Sequence, residues 1–224
     1  MLSTKKTLGL ASWASLLVLL LSLASLQVRA EGEESLVAPQ LVIKHTSEEL
    51  QKSLQKPEYK KDFAKATRLV DQILETHVDF DRVSMLILGK FWKTATPEQQ
   101  ARFKQEFRML LVRTYTTAFT EYSDWNIRYL PLKLEEGNNK AVVRTEILQS
   151  GAQPVAVNYR MVNLNNDWKV YDVLIEGISL IQNYRTSFTN EVSRTGSLDQ
   201  LIMELAQRNS SALKEPVGGN PTKG

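Results

Sequence analysis

Few residues in this chain stand in an arrangement that does chemistry. Gly177-Ile178-Ser179-Leu180-Ile181 falls where a predicted strand gives way to a predicted helix, the setting of a nucleophile elbow, in which a serine sits on a tight turn closed by glycines. Ile181 occupies the position of the last glycine, and the two histidines, His45 and His77, both precede the serine, against the order that fold uses. Ser179 therefore reads as a residue of a first helical turn. His77 lies on a helical apolar stripe, where a hydrogen-bonded imidazole is the common case. His45 has no partner at metal-ligand spacing, and no HExxH pattern occurs. Asp79-Phe80-Asp81 offers two carboxylates to a divalent ion, yet the helix macrodipole alone selects acidic residues in a first turn. Asn163-Leu164-Asn165-Asn166-Asp167 begins like a calcium loop but has Trp168 where glycine is needed and Leu174 where glutamate is needed. It reads as a hairpin turn.

Arg185 is the most informative charge. It stands four residues after Ile181 and three before Phe188, which puts a guanidinium on the apolar stripe of a predicted helix. A charge so placed needs a partner. One is an ion pair with Asp172 or Glu176 on the preceding strand; the other is an anionic group of a ligand, which suits a planar donor fork. Asp172 and Arg185 are also the groups on which an enzyme reading, as hydrolase or isomerase, would have to rest.

The elements that position these residues show two periods. Thr46-Ser47-Glu48-Glu49 reads as a capping box opening a short helix, and Phe63, Ala66, Val70, Leu74 and His77 follow helical spacing. Thr96-Pro97-Glu98-Gln99 opens a longer helix, with Phe103, Phe107, Leu110, Leu111, Thr114, Ala118 and Tyr122 along one face to about Ser123. From Asn126 the period becomes two. Residues 127–134, 140–148, 154–162 and 168–175 read as four strands of an antiparallel meander joined by short turns. In the third, Val155, Val157, Tyr159 and Met161 share a face. Ile178, Ile181, Tyr184, Phe188 and Val192 then define a helix ended by Gly196, and Ser197-Leu198-Asp199-Gln200 caps another. The class is α+β.

Residues 1–30 read as a cleavable signal peptide: Lys5 and Lys6, a leucine-rich run over 8–26, and Val28-Arg29-Ala30 as cleavage site. A membrane anchor is the competing reading of that run, which its Ser, Gly and Ala residues and the cleavage motif disfavour. Loss of Lys5, Lys6 and Arg29 brings the 28 basic residues down to 25, equal to the 25 acidic ones. The basic pI is therefore a property of the precursor, and nucleic-acid binding is not expected. The remaining 194 residues suffice for one domain over 31–208, with 209–224 a mobile tail. With no cysteine, neither disulfides nor thiolate metal sites are available.

Two stretches resemble the MlaC family of periplasmic phospholipid-binding proteins, also called toluene-tolerance proteins. The first includes Phe80, Met85-Leu86-Ile87-Leu88-Gly89-Lys90-Phe91-Trp92, Thr96-Pro97-Glu98-Gln99-Gln100, Phe103-Lys104-Gln105-Glu106-Phe107 and Tyr115. The second comprises Trp168-Lys169-Val170-Tyr171-Asp172-Val173, Glu176-Gly177-Ile178-Ser179-Leu180, Asn183-Tyr184-Arg185-Thr186-Ser187-Phe188 and the last helix. The resemblance implies a curved antiparallel sheet of about four strands, wrapped by N-terminal and C-terminal helices around an apolar pocket for phospholipid acyl chains. It implies a periplasmic carrier without cofactor or catalytic residues, its cargo phospholipid. Its partners would be an outer-membrane MlaA-type lipoprotein complex and an inner-membrane MlaD-type ABC transporter, and a monomer is expected. Phe91, Trp92, Phe107, Leu111 and Tyr115 from helices, with Val155, Val157, Tyr159, Val173 and Ile175 from strands, are expected to line the pocket; Tyr184, Arg185 and Phe188 are counted with them. A periplasmic chaperone or adaptor is a further alternative.

Overall fold

In the computed structural model of the protein, residues 35–121 and 125–212 are described; the expected signal peptide lies outside them. Helix α1 (Ala38–Leu54) starts well before Thr46. Pro39 stands in its first turn, and Gln40 Oε1 accepts the Val37 N–H at 3.0 Å, so an orphan donor is met there. Thr46 is an interior residue instead, buried, with its hydroxyl donating to the Val42 carbonyl at 2.8 Å. The expected capping box at Thr46 is thus absorbed within a longer helix.

The one-turn α2 (Pro57–Lys60) leads to α3 (Phe63–His77), capped by Asp62, which accepts the Lys65 N–H at 2.9 Å. Ala66, Val70 and Ile73 are its buried stripe, and His77 ends it half-buried. Asp79 caps α4 (Phe80–Leu88) by accepting the Arg82 N–H at 3.0 Å, the helix start that Asp79-Phe80-Asp81 suggested. After α5 (Lys90–Thr94), Thr96 and Gln99 form the expected reciprocal box at the head of α6 (Pro97–Glu121), with bonds of 3.2 and 3.0 Å. Tyr122 and Ser123 lie outside the described residues.

The sheet is antiparallel, in the order β1 (Trp125–Tyr129), β2 (Lys140–Gln149), β3 (Val155–Leu164), β4 (Asp167–Ile175), β5 (Ile178–Ser179). β1 stops before Pro131, which has no N–H for the ladder; only the Leu130 N–H still reaches Arg144 O, at 3.0 Å. β5, not expected from the sequence, holds Ile178 and Ser179 against β4 before the chain enters α7 (Leu180–Thr195). The β3–β4 turn is Asn165-Asn166 at φ 53° and 69°, the left-handed pair that a two-residue hairpin requires and asparagine tolerates. α8 (Leu198–Ala212) buries Leu201, Ile202 and Leu205. It runs past the expected start of the tail, because Asn209 is buried and its Nδ2 donates to both the Glu106 carbonyl and carboxylate at 2.9 Å. Residues 213–224 lie outside the described ones.

One irregularity decides which side chains share a face. Opposite Arg160 and Met161, β4 carries an extra residue, Tyr171, so that Tyr159 pairs with Val173 but Met161 with Val170. Such a bulge reverses the alternation. Trp168 and Val170 before it therefore lie on the same face as Val173 and Ile175 after it. Asp172 is turned to the opposite face.

Among the described residues the apolar interior is divided into three clusters. Phe103, Phe107, Phe188, Ile202 and their neighbours unite α4, α6, α7 and α8. Ile43 of α1 packs on Ala141, Val143, Met161, Trp168 and Val170 of the sheet. Leu50, Leu54, Val70 and Val112 unite α1, α3 and α6. Among the described residues no helix is long and apolar enough to cross a membrane.

Candidate functional site

The face of the sheet that carries Ile43 is largely apolar but filled at one end only. Its register aligns Val143 with Tyr159 and Val173, then Thr145 with Val157 and Ile175, then Ile147 with Val155, with Ile127 of β1 beside Ile147. Helix α1 covers the end at Ala141, Met161 and Val170. Towards the other end Ile127, Ile147 and Ile175 are half-buried and Val155 is 39% exposed. The result is a strip of large aliphatic side chains that none of the three clusters incorporates.

The strand residues expected as lining, Val155, Val157, Tyr159, Val173 and Ile175, are thus brought together on this one face. The helical ones are not all with them. Phe107 and Phe188 are buried inside the helical cluster, their rings 5.9 Å apart and nearly perpendicular, and Phe103 stacks on Phe107 at 5.7 Å. Phe91, Trp92, Leu111 and Tyr184 pack half-buried on that cluster's rim. Tyr115 is half-buried beside Tyr184. Helix α6, which carries Phe107, Leu111 and Tyr115, makes its main contacts with α1, α3, α4 and α8 rather than with strands. Ile127 and Ile147 belong to the strip but were not among the expected lining residues; the alternation Val143, Thr145, Ile147 in β2 was the signal for the second.

Arg185 pairs with neither acid expected for it. The Asp172 carboxylate accepts from Arg160 Nη1 at 2.9 Å, Ser179 Oγ at 2.8 Å and the Ile181 N–H at 3.2 Å, while Glu176 accepts the Ala156 N–H. Ser179 caps α7, its Oγ accepting the Gln182 N–H at 3.1 Å. Arg185 is exposed and lies flat on Gly89. A Cβ at Gly89 would stand 3.1 Å from its Nε and Nη2 and 3.2 Å from Cζ. Gly89 itself, at φ 54° and ψ −113°, joins α4 to α5 in a conformation open to glycine. Gly89→Ala should lower the unfolding free energy by about 1–3 kcal/mol. In an Arg185→Ala background the loss should shrink without vanishing, because the backbone cost remains. Urea midpoints of the four proteins measure both effects.

The interior tyrosines are held neutral. Burial pushes Tyr159 up to about 12, reinforced by nearby Tyr129 and opposed by a hydrogen bond with Thr145. Burial raises Tyr115 further, with Tyr184 adding to it. An unfolded phenol ionises near pH 10. The neutral folded phenol therefore contributes its full stability below that pH and loses it as the pH rises towards 12. The melting temperature should hold up to about pH 10 and fall above it, with phenolate absorbance from these tyrosines appearing only as the protein unfolds.

A cleft of about 610 Å³ opens elsewhere, between Asp71, Glu75, Asp81, Lys104, Arg108 and Leu164. Its charges satisfy one another: Arg108 bonds Asp71 at 2.6 Å and Glu75 at 2.7 Å, and Lys104 bonds Asp81 at 2.6 Å. Such a wall does not suit an apolar ligand.

Helices packed against a curved antiparallel meander with a partly unfilled apolar face make this an α+β protein of defined type. The chain belongs to the MlaC family, whose model, described as MlaC protein, matches residues 44–207. It is similar to the toluene tolerance protein ttg2D of Pseudomonas putida, 31% identical over 212 residues that span 93% of this chain and 95% of that one. It is also similar to the intermembrane phospholipid transport system binding protein MlaC of Haemophilus influenzae, 25% identical over 209 residues covering 91% and 96% of the two. Among solved structures it is similar to a phospholipid-binding protein from Ralstonia solanacearum in complex with a phospholipid. That match has a TM-score of 0.73 and 31% identity, and covers 80% of this chain and all of that one.

Proposed function

We propose that the protein is a periplasmic phospholipid carrier. Its cargo would move between an outer-membrane MlaA-type lipoprotein complex and an inner-membrane MlaD-type ABC transporter, and so maintain outer-membrane lipid asymmetry. The observation that carries the reading is the strip Ile127, Ile147, Val155 and Ile175, apolar, continuous in register and outside the core clusters. Acyl chains would lie along it, with Val157, Tyr159 and Val173 deeper on the same face and Leu111, Tyr115, Tyr184, Phe91 and Trp92 as the helical wall. Phe107 and Phe188 would then support that wall from behind, and Arg185 would fix the α4–α5 corner that carries Phe91 and Trp92.

The energy scale favours enclosure. A methylene is worth about 0.8 kcal/mol, so carrying a chain of about 16 carbons through water needs on the order of 10 kcal/mol of shielding. Surface adhesion does not supply that. Covering the strip would also stabilise the protein, since a ligand that binds only the folded state raises its melting temperature.

Mass spectrometry of organic extracts from protein purified out of its native compartment tests the reading. Phospholipid at about one per chain, and a lower melting temperature after its removal, are the expected results. Gently purified protein without lipid would refute it. Bound peptide in place of lipid would favour a chaperone.

A further inference from the structure

The two halves of α6 are built differently. The first is fixed to its surroundings: Phe103 and Phe107 are fully buried, Arg108 holds Asp71 and Glu75, Lys104 holds Asp81, and Arg102 lies 3.6 Å from Asp199. Asn209 adds its bonds to Glu106. In the second half, Thr114-Tyr115-Thr116-Thr117-Ala118-Phe119-Thr120, every residue except Ala118 is β-branched or aromatic, types whose side chains lose rotamer freedom in a helix. Its four threonine hydroxyls all turn back on the helix. Thr114 donates to Leu110 O at 2.7 Å, Thr116 to Val112 O at 2.7 Å, Thr117 to Arg113 O at 3.4 Å and Thr120 to Thr116 O at 2.9 Å. Such bonds compete with the helical ladder for the same carbonyls and bend the helix.

The packing changes at the same point. Buried positions step from Phe103 and Phe107 to Val112 and Thr116, so the core-facing stripe rotates between Phe107 and Val112. Before the step α6 belongs to the cluster with α7 and α8; after it, to the cluster with α1 and α3. At the fully buried Thr116 the hydroxyl is satisfied by α6 itself and ties the helix to no neighbour.

We infer that residues 110–121 are a compliant flap hinged at Leu110–Val112, whose bending admits and releases the acyl chains. The inference rests on the carrier reading, since Leu111 and Tyr115, the proposed helical wall, ride on this segment. Local opening of the least stable unit is the general means by which enclosed ligands exchange.

The test uses the mature protein and its Thr114→Ala/Thr117→Ala variant, which replaces an exposed and a half-buried threonine outside the proposed lining. Hydrogen exchange should be at least about tenfold faster in 110–121 than in 97–109. In the variant it should slow about fivefold in 110–121, and release of a fluorescent phospholipid to phosphatidylethanolamine–phosphatidylglycerol vesicles should slow by a similar factor. Equal exchange in the two halves of α6 overturns the flap. So does lipid release unchanged within about twofold although exchange in 110–121 has slowed. Absence of lipid from extracts of both proteins overturns the carrier reading, and the flap's role with it.

Discussion

Asp172→Ala should lower the unfolding free energy by about 2–4 kcal/mol, chiefly the cost of leaving hydrogen-bond donors without their acceptor. The carboxylate side chain is 2% exposed and serves three donors at once, on β3, at β5 and at the head of α7. Alanine leaves the Ser179 hydroxyl and the Ile181 N–H without their acceptor in a part-buried site, and each such orphan costs up to about 1–3 kcal/mol. Arg160, 43% exposed, rehydrates and moderates the loss. A denaturant melt reads the effect directly. A catalytic role for Asp172 requires the reverse: a variant that folds as the parent does and has lost only its turnover. Asp172→Asn should fall between, since the amide oxygen can replace only one of the two carboxylate oxygens, that facing the Ile181 N–H or that shared by Ser179 and Arg160, and the charge for Arg160 is gone.

Val155→Glu should leave the fold intact and reduce co-purified lipid to less than about a tenth of the parent level, because a buried carboxylate beside an acyl chain finds no partner there. Val155 is 39% exposed, so the folded protein without cargo tolerates the charge. Val142→Glu is the matched control. Val142 is 44% exposed on β2 but alternates with the inner-facing Val143, which sets the same new charge on the opposite face of the same sheet. Lipid content unchanged by Val155→Glu, or lost equally in both variants, would contradict the assignment of the cargo to this face. The measurement is lipid phosphorus per chain, with circular dichroism to confirm folding.

Local chemistry was legible in the sequence wherever one short stretch determines it. Thr96 with Gln99, the Asp79 cap, the Asn165-Asn166 turn and Gly196 each declare their geometry through a side chain that meets a neighbouring backbone group or a left-handed φ. Strand alternation likewise placed Val155, Val157 and Tyr159 together. What stayed hidden depended on distant partners. The bulge at Tyr171 leaves no mark in a run of alternating residues, because it is a matter of pairing with β3; without it Asp172 would share a face with Trp168 and Val170. Thr46 has the sequence of a cap, but upstream Pro39 and the contact of Ile43 with the sheet extend the helix past it. Arg185 seemed to lie on the stripe of Ile181 and Phe188, whereas the buried stripe runs through Ile181, Tyr184, Phe188 and Val192. One residue along a helix is about a 100° turn, enough to take Arg185 out of the interior and onto Gly89, a contact that no spacing rule announces. Phe107 and Phe188 are apolar in the right period for lining or for core, and only the rings packed around them distinguish the two.

The edge of β4 has a consequence for how the protein behaves in a crowded compartment. A partly bare apolar face bordered by an open strand would be a template on which copies add to one another. Here that border is occupied at two places: Val78 bridges to Val170 and the Asp79 N–H donates to Val170 O at 2.9 Å, while β5 takes Leu174 and Ile175. Two short segments, one of which sets Ile178 against Ile175 at the border of the strip, thus hinder the addition of further strands at this edge. Substitutions that loosen them, such as proline at Val78, should appear first as aggregation on storage rather than as any defect in holding lipid.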